Sequence, residues 1–397
     1  MTLANSPSRV PGRQFLQIPG PTPIPDRVLR AMDMPIIDHR GPKFKALTAR
    51  ALEGMKSIFK TAGAVMIYPA SGTGAWEAAL ANALSPGDRV LMYESGHFAN
   101  LWKAMAERLG FQVDYIASDW RDGVDPAAIE DRLREDKARA IKAVCVVHNE
   151  TSTGTLSDMA AVRRAIDAAG HPALFMVDTV SSLGSADYQH DAWGVDVAVC
   201  GSQKGLMLPP GLGFNAVSDK ALARSRAGGL PRLFWSWEEM VKANQQGSFP
   251  YTPATNTLYG LVEAIDMMHE EGLDRVFARH QRHAEATRRA AQAWGLELQC
   301  QNPAHYSPVV TTVIMPEGRG GDAFRALALE RFDIALGSGL SKLADKVFRI
   351  GHLGDINDLT LLGALAGVEM ALGLAGVARR EGGVQAAMSH LAATSAG

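Results

Sequence analysis

The chain has 397 residues, 47% hydrophobic and 21% charged, with a formal net charge of −2. That length exceeds one average core, so a large domain and a smaller one are expected. The near-neutral balance, with no long run of one sign, excludes the basic footprint that nucleic acid or an anionic membrane surface demands.

Residues 1 to 14 are polar and proline-bearing and read as an extended arm, without the apolar core of a signal peptide. No apolar stretch approaches membrane-spanning length, so the expected compartment is the cytoplasm. Four prolines between Ile18 and Pro25 fix an extended backbone, after which Asp26 is placed to cap a helix into Met32.

From Thr61 to about residue 220, short apolar runs alternate with amphipathic stretches. Strands are expected at Ala64–Tyr68, Arg89–Tyr93, Ala143–Val147, Leu174–Val177, Val195–Cys200 and Gly213–Val217, and helices at Gly74–Leu84, Phe98–Leu109 and Asp158–Ala169. Such alternation implies an α/β fold with a mostly parallel, doubly wound sheet. A long helical segment runs from Leu258 past Trp294, with Gly272 as a break. Beyond it, strands at Val309–Met315 and Val347–Ile350 accompany helices at Ala323–Glu330, capped by Asp322, and Leu359–Leu374. The expected organisation is an arm over 1–22, a large domain over 23–285 and a small α+β domain over 286–397.

Two residues stand out chemically. Asp178 closes one apolar run and Lys204 sits just past the next, in Gly201-Ser202-Gln203-Lys204-Gly205. In an open α/β sheet, ligands gather at the carboxyl ends of the strands, so both side chains are expected at one crevice. This is the pair a pyridoxal phosphate enzyme needs: a lysine for the Schiff base and an acid to keep the pyridine nitrogen protonated. Taken alone, Lys204 is as readily a surface lysine and Asp178 a helix-capping aspartate; the pairing makes the case. Ser71-Gly72-Thr73-Gly74 follows a strand and opens a helix, a turn that offers free backbone N–H groups to a monophosphate. It lacks both the dinucleotide fingerprint and the P-loop lysine.

Arg349, flanked by strand formers, suits bidentate binding of a substrate carboxylate, or else an edge-strand ion pair. His148 has no second ligand at metal-binding spacing, and Thr151 either donates to a ring or caps a turn. Cys145, Cys200 and Cys300 likewise show no metal spacing and read as reduced core cysteines. Phe234-Trp235-Ser236-Trp237 reads as interface or plain packing rather than pocket lining.

At these residues the chain resembles the class V, fold type I pyridoxal-phosphate-dependent aminotransferases, in the alanine/serine–glyoxylate branch. The resemblance runs from about Ile18 to Leu374. It is carried by Pro19-Gly20-Pro21-Thr22, Asp38-His39-Arg40, Pro69-Ala70-Ser71-Gly72-Thr73-Gly74, His148-Asn149-Glu150-Thr151-Ser152-Thr153-Gly154, Val177-Asp178-Thr179-Val180-Ser181-Ser182, Gly201 to Gly205, Tyr251-Thr252-Pro253 and Phe348-Arg349-Ile350-Gly351-His352.

The resemblance implies that Lys204 carries the cofactor and that Asp178 partners its ring nitrogen. It implies that Gly72 and Thr73 give backbone contacts to the phosphate, joined by Gln203 and by Thr252 reaching in from a neighbouring subunit, with Ser71, Val180 and Tyr251 also among the cofactor-binding residues. Phe98, where relatives often place a tryptophan, would lie against the ring. Thr151 would contact the ring oxygen, and Arg349 with Gly20 would bind the substrate. Phe249 stands where relatives often have a tyrosine, so a hydroxyl contact from that position is in doubt. The implied assembly is a homodimer or dimer of dimers with shared active sites. The implied reaction moves the amino group of L-serine to glyoxylate, giving hydroxypyruvate and glycine by a ping-pong route. Alanine or aspartate are alternative donors; aspartate would want an extra cation, for which Arg40, His39 and Arg232 are candidates. A lyase such as a cysteine desulfurase would need an exposed reactive cysteine. A cofactor-free structural dimer is the remaining alternative, disfavoured by Lys204 and Asp178.

Overall fold

A computed structural model of the chain describes residues 11–395. Thirteen strands are described, in chain order: β1 (Phe15–Gln17), β2 (Ala64–Tyr68), β3 (Arg89–Tyr93), β4 (Gln112–Ile116), β5 (Ile141–Val147), β6 (Asn149–Glu150), β7 (Thr155–Leu156), β8 (Leu174–Asp178), β9 (Val197–Gly201), β10 (Gly213–Val217), β11 (Val310–Ile314), β12 (Ile334–Ser338) and β13 (Val347–Gly351).

Seven of them form one sheet in the order β2-β10-β9-β8-β5-β3-β4. Its inner strands read as largely apolar runs because helices cover both faces, while β4 is an edge strand with Gln112 and Asp114. Successive side chains of a strand point to opposite faces. On β8, accordingly, Phe175 and Val177 enter a core cluster with Phe44, Phe59 and Phe214, while Leu174 and Met176 enter one with Trp76, Trp102 and Trp237. All pairings are parallel except those of β10, which runs antiparallel to β9 and β2. Only Ser202–Leu212 joins β9 to β10, too short for a parallel crossover. That connection carries Lys204.

A second, four-stranded sheet has the order β1-β12-β13-β11. Helices Gly321–Phe332 and Asp358–Leu374 pack on it around Phe324, Phe348, Trp294 and Leu365. The N-terminal strand β1 is its edge, parallel to β12. Helices Thr255–Glu271 and Leu273–Ala293 break at Gly272, whose φ of 86° suits glycine. Residue 286, the expected start of the smaller domain, lies inside the second of these helices.

Two expected caps differ. Asp322 sits inside the first turn of Gly321–Phe332; Asp345 supplies the capping oxygen instead, accepting from the Asp322 N–H at 2.9 Å. Asp26 is the first helical residue behind Pro25, and its carboxylate pairs with Arg13 at 3.1 Å.

Candidate active site

Three strand ends converge on one cavity. The turn after β2 brings Ser71, Gly72 and Thr73, β8 ends in Asp178, and the β9–β10 connection brings Gln203 and Lys204. Lys204 is buried beneath Pro19 and Gly20, and its Nζ donates to the Pro19 carbonyl. Gly20 has φ of 92°, and a Cβ there would lie 2.7 Å from Lys204 Nζ, so a side chain at this position would displace the lysine. Burial, and then the nearby Arg349 charge, push the Lys204 ammonium down to about 8 against the opposing pull of Asp178.

The Asp178 carboxylate accepts from the Val180 N–H at 2.6 Å and from Trp76 Nε1 at 3.1 Å. Burial pushes it up to about 7 despite these donors, and Glu150 adds to the rise. A buried acid held this high has room to gain from a cationic partner.

At the opposite end, Ser71 precedes the helix Gly72–Ala83 with an extended backbone and no side-chain capping bond. The N–H groups of that first turn face the cavity with the positive end of the helix dipole. Gln203 Oε1 is buried there without a hydrogen-bond partner among the described residues. Small residues keep the approach open: a Cβ on Gly72 would come within 2.6 Å of Val180 Cγ2. Phe98 and Val180 line the space between the two ends. An anion-seeking terminus, apolar walls, a raised carboxyl and a buried lysine together suit a flat ring bearing a monophosphate, a basic nitrogen and a carbonyl carbon.

Arg349 lies mid-strand on β13 and is buried. Its Nε donates to Ser338 O at 2.7 Å and its Nη1 to Thr151 O at 2.9 Å; Nη2 has no partner among the described residues. Burial lowers it to about 10, with Glu150 opposing, so the guanidinium stays charged at neutral pH. The Thr151 hydroxyl donates to Ser181 Oγ at 3.0 Å, and Ser181 Oγ donates to Asn149 O at 2.9 Å. The backbone of Thr151 thus holds Arg349 while its side chain faces the cavity with Ser181.

Tyr251 and Thr252 are not brought to this cavity within one chain. They line a separate surface pocket with His39, Arg40, Lys45 and Phe249, and Tyr251 Oη donates to Ile67 O at 3.1 Å. Phe234 stacks on Tyr251 at 4.5 Å and Trp235 meets Tyr68 edge-on at 5.2 Å, while Trp237 is wholly buried. The aromatic segment thus braces that face. Arg232 lies elsewhere, its guanidinium bonded to Asn82 Oδ1 at 2.6 Å and Ser225 Oγ at 2.8 Å, where it pins a loop. His148 is a core histidine bonded to Ser182 Oγ at 3.0 Å and pushed down to about 4 by burial. All three cysteines are buried and free, and burial pushes the Cys300 thiol up to about 11, the reverse of an activated thiolate.

Sequence reasoning missed Trp76, the Pro19 carbonyl and Glu150. The Glu150 carboxylate is fully buried and accepts from Phe98 N at 3.1 Å, Ala99 N at 3.2 Å and Ser152 Oγ at 2.6 Å. It caps the helix His97–Arg108 that carries Phe98. Its adjacency to Thr151 was the available signal.

The family description "Aminotransferase class-V" matches residues 14–349. The chain is 51% identical, over 97% of both chains, to a serine–glyoxylate aminotransferase of Methylorubrum extorquens. It is 46% identical, over 96% of both, to an L-aspartate–glyoxylate aminotransferase of Paracoccus denitrificans. Among solved structures it is similar to the pyridoxamine–pyruvate aminotransferase of Mesorhizobium loti. That match has a TM-score of 0.90 at 29% identity and covers 96% of this chain and 97% of the other.

Proposed function

The chain belongs to the class-V aminotransferase family, and we propose that it binds pyridoxal 5′-phosphate and moves the amino group of L-serine to glyoxylate, giving hydroxypyruvate and glycine. The observation that carries this reading is one cavity lined by Lys204, Asp178 and the Ser71–Thr73 turn, with the Arg349 charge near enough to lower the Lys204 ammonium. When bound, the cofactor supplies an aldehyde carbon for Lys204 and a ring that draws electrons from the substrate Cα.

The chain's own residues do the rest. Ser71, Gly72, Thr73 and Gln203 would hold the phosphate, and Asp178 would keep the ring nitrogen protonated. Phe98 and Val180 fix the plane of the ring and keep water from its faces. Arg349 receives the substrate carboxylate through Nη2, which orients the Cα–H bond. Lys204, near 8, is neutral often enough at neutral pH to act as nucleophile and then to carry the proton from Cα as general base. Donor and acceptor each carry a carboxylate, so one arginine serves both half-reactions; because those half-reactions take turns at one site, ping-pong kinetics are expected.

Serine is favoured as donor by the 51% identity with the serine–glyoxylate enzyme. Its neutral side chain also needs no second cation, and Arg232 is already committed to Asn82 and Ser225. Aspartate is the second reading, because the aspartate-directed relative stands at 46%. For the assembly, Ile36 and Leu233 lie 76% and 84% exposed on segments near the surface pocket of Tyr251 and Thr252. We infer, as the family resemblance implies, that a second copy of the chain covers that face and that Thr252 reaches its phosphate site, in a homodimer or dimer of dimers. No helix among the described residues is long and apolar enough to cross a membrane.

The test is a half-reaction titration without keto acid. L-serine, L-alanine and L-aspartate are added in turn while the visible cofactor band is followed, and glyoxylate is then added to restore it. Fastest bleaching by serine supports the proposal; faster bleaching by aspartate or alanine reassigns the donor; no bleaching by any of them overturns the transaminase reading.

A further inference from the structure

A contact between the two sheets has no part in the chemistry described so far. Glu94 follows β3 of the seven-stranded sheet and is nearly buried. Its carboxylate accepts from Trp120 Nε1 at 3.0 Å and pairs with the ammonium of Lys342, which comes from the β12–β13 connection of the four-stranded sheet. The same ammonium lies over the Trp120 ring, 5.0 Å from its centroid. The indole itself packs with Leu343 and Val347 of the smaller sheet. One residue before Lys342, Ser341 Oγ bonds His97 Nδ1 at 2.7 Å, and His97 precedes Phe98 of the cavity wall.

An exposed ion pair alone would hold little. Here the acid is buried, shared with an indole N–H, and joined to a cation–π contact, so loss of the lysine leaves a desolvated carboxylate without its counter-charge. Two of the participants also carry left-handed backbone: Trp120 has φ of 69° and Ser341 φ of 49°. Neither residue type favours that region, and such conformations persist where surrounding contacts over-determine them.

The geometry leads from this contact to Arg349. Val347 and Arg349 lie two apart on β13 and so share a face. Ser338 O, which accepts from Arg349 Nε, lies three residues before Ser341. We propose that Glu94, Trp120, Ser341 and Lys342 form an inter-sheet clamp that positions Arg349 for the substrate carboxylate. They are positioning residues, acting through Arg349 and touching neither substrate nor cofactor. The proposal rests on the carboxylate-binding role of Arg349 given above.

The holoenzyme variants Lys342→Met and Ser341→Ala test it. Lys342→Met is expected to raise KM for both amino donor and glyoxylate about tenfold with kcat within about twofold, the signature of lost binding common to both states. The dissociation constant of glycolate, a carboxylate without an amino group, measured by calorimetry, is expected to weaken by the same factor. Lys342→Arg should recover most of the loss, and Ser341→Ala should show a smaller rise of the same kind. Cofactor absorbance and cofactor affinity stay as in the unsubstituted enzyme. Unchanged KM values and unchanged glycolate binding in both variants overturn the clamp. So does a loss of cofactor affinity that accounts for the whole effect. If the unsubstituted enzyme turns over no amino acid, the functional reading fails, while glycolate binding still judges the clamp separately.

Discussion

Replacing Asp178 by asparagine in cofactor-stripped protein isolates what the buried acid costs the fold. In the folded chain Asp178 titrates at about 7 against an ordinary 3.8, because burial disfavours its charge. Between those two values the folded state keeps a proton that the unfolded chain has released. The stability linked to that proton is therefore full below 3.8 and is lost as pH rises through about 7. At roughly 1.4 kcal/mol per pH unit, raising the pH from about 5 to 8 removes on the order of 3 kcal/mol from the wild-type apoprotein. Asparagine carries no such titration. It has only one oxygen for two donors, the Val180 N–H and Trp76 Nε1, so an unmade hydrogen bond costs about 1–3 kcal/mol at every pH. The variant should be no more stable than wild type near pH 5 and more stable at pH 8, the gap flattening above about 7. Urea or thermal unfolding of both proteins at matched concentration, in steps from pH 5 to 8.5, reads the difference. A difference that does not change with pH would refute the reasoning. With cofactor bound the order should reverse, since the ring cation gives the carboxylate its missing counter-charge.

Three further outcomes are expected. Lys204→Ala should abolish steady-state transamination and shift the visible band of the purified protein; retained turnover would remove Lys204 from its role. Arg349→Ala should weaken amino-acid and keto-acid binding by about 1.5–3 kcal/mol, the range for a hydrogen bond to a charged group, read as a rise in KM for both substrates; unchanged values would take the arginine out of the site. Gly20→Ala should leave the unfolding midpoint within a few degrees but collapse kcat, because the new Cβ meets Lys204 Nζ at 2.7 Å and the φ of 92° resists a side chain; full activity would show that the lysine has room to spare.

Where a segment is mostly apolar and lies close to Gly or Pro, the sequence reading and the structure agree closely. Strands β2, β3 and β10 begin and end where expected, and the break at Gly272 is where its backbone demands. The segments that escaped are those whose partners, not composition, make them regular. Strand β4 is a half-exposed edge with Gln112 and Asp114, and β12 contains Gly337 and Ser338. The long helix Pro42–Phe59 has a mixed surface, with Phe44, Leu47, Ala51, Met55 and Phe59 buried at helical spacing, but it begins amid Gly41 and Pro42. In the cavity, Asp178 and Lys204 were legible because strand-end chemistry is local in sequence. Trp76 was not, since its bond to Asp178 spans 102 residues, nor was Pro19, whose carbonyl meets Lys204 across 185. Such pairings are set by sheet order, which no local pattern encodes.

The short strand β1 has a consequence for how the enzyme is made. Phe15–Gln17 pairs with Ile334–Leu336, and Gln14 Nε2 donates to Asp333 across 319 residues. Directly after that strand come Pro19 and Gly20, the roof over Lys204. During vectorial synthesis the seven-stranded sheet is complete by Val217, yet the residues that close over the lysine have no strand to pair with until position 336 has left the ribosome. The first structured segment to be translated is thus among the last to dock. A nascent chain arrested before β12 should present an open lysine pocket, accessible to aldehydes at large, and the finished chain a roofed one.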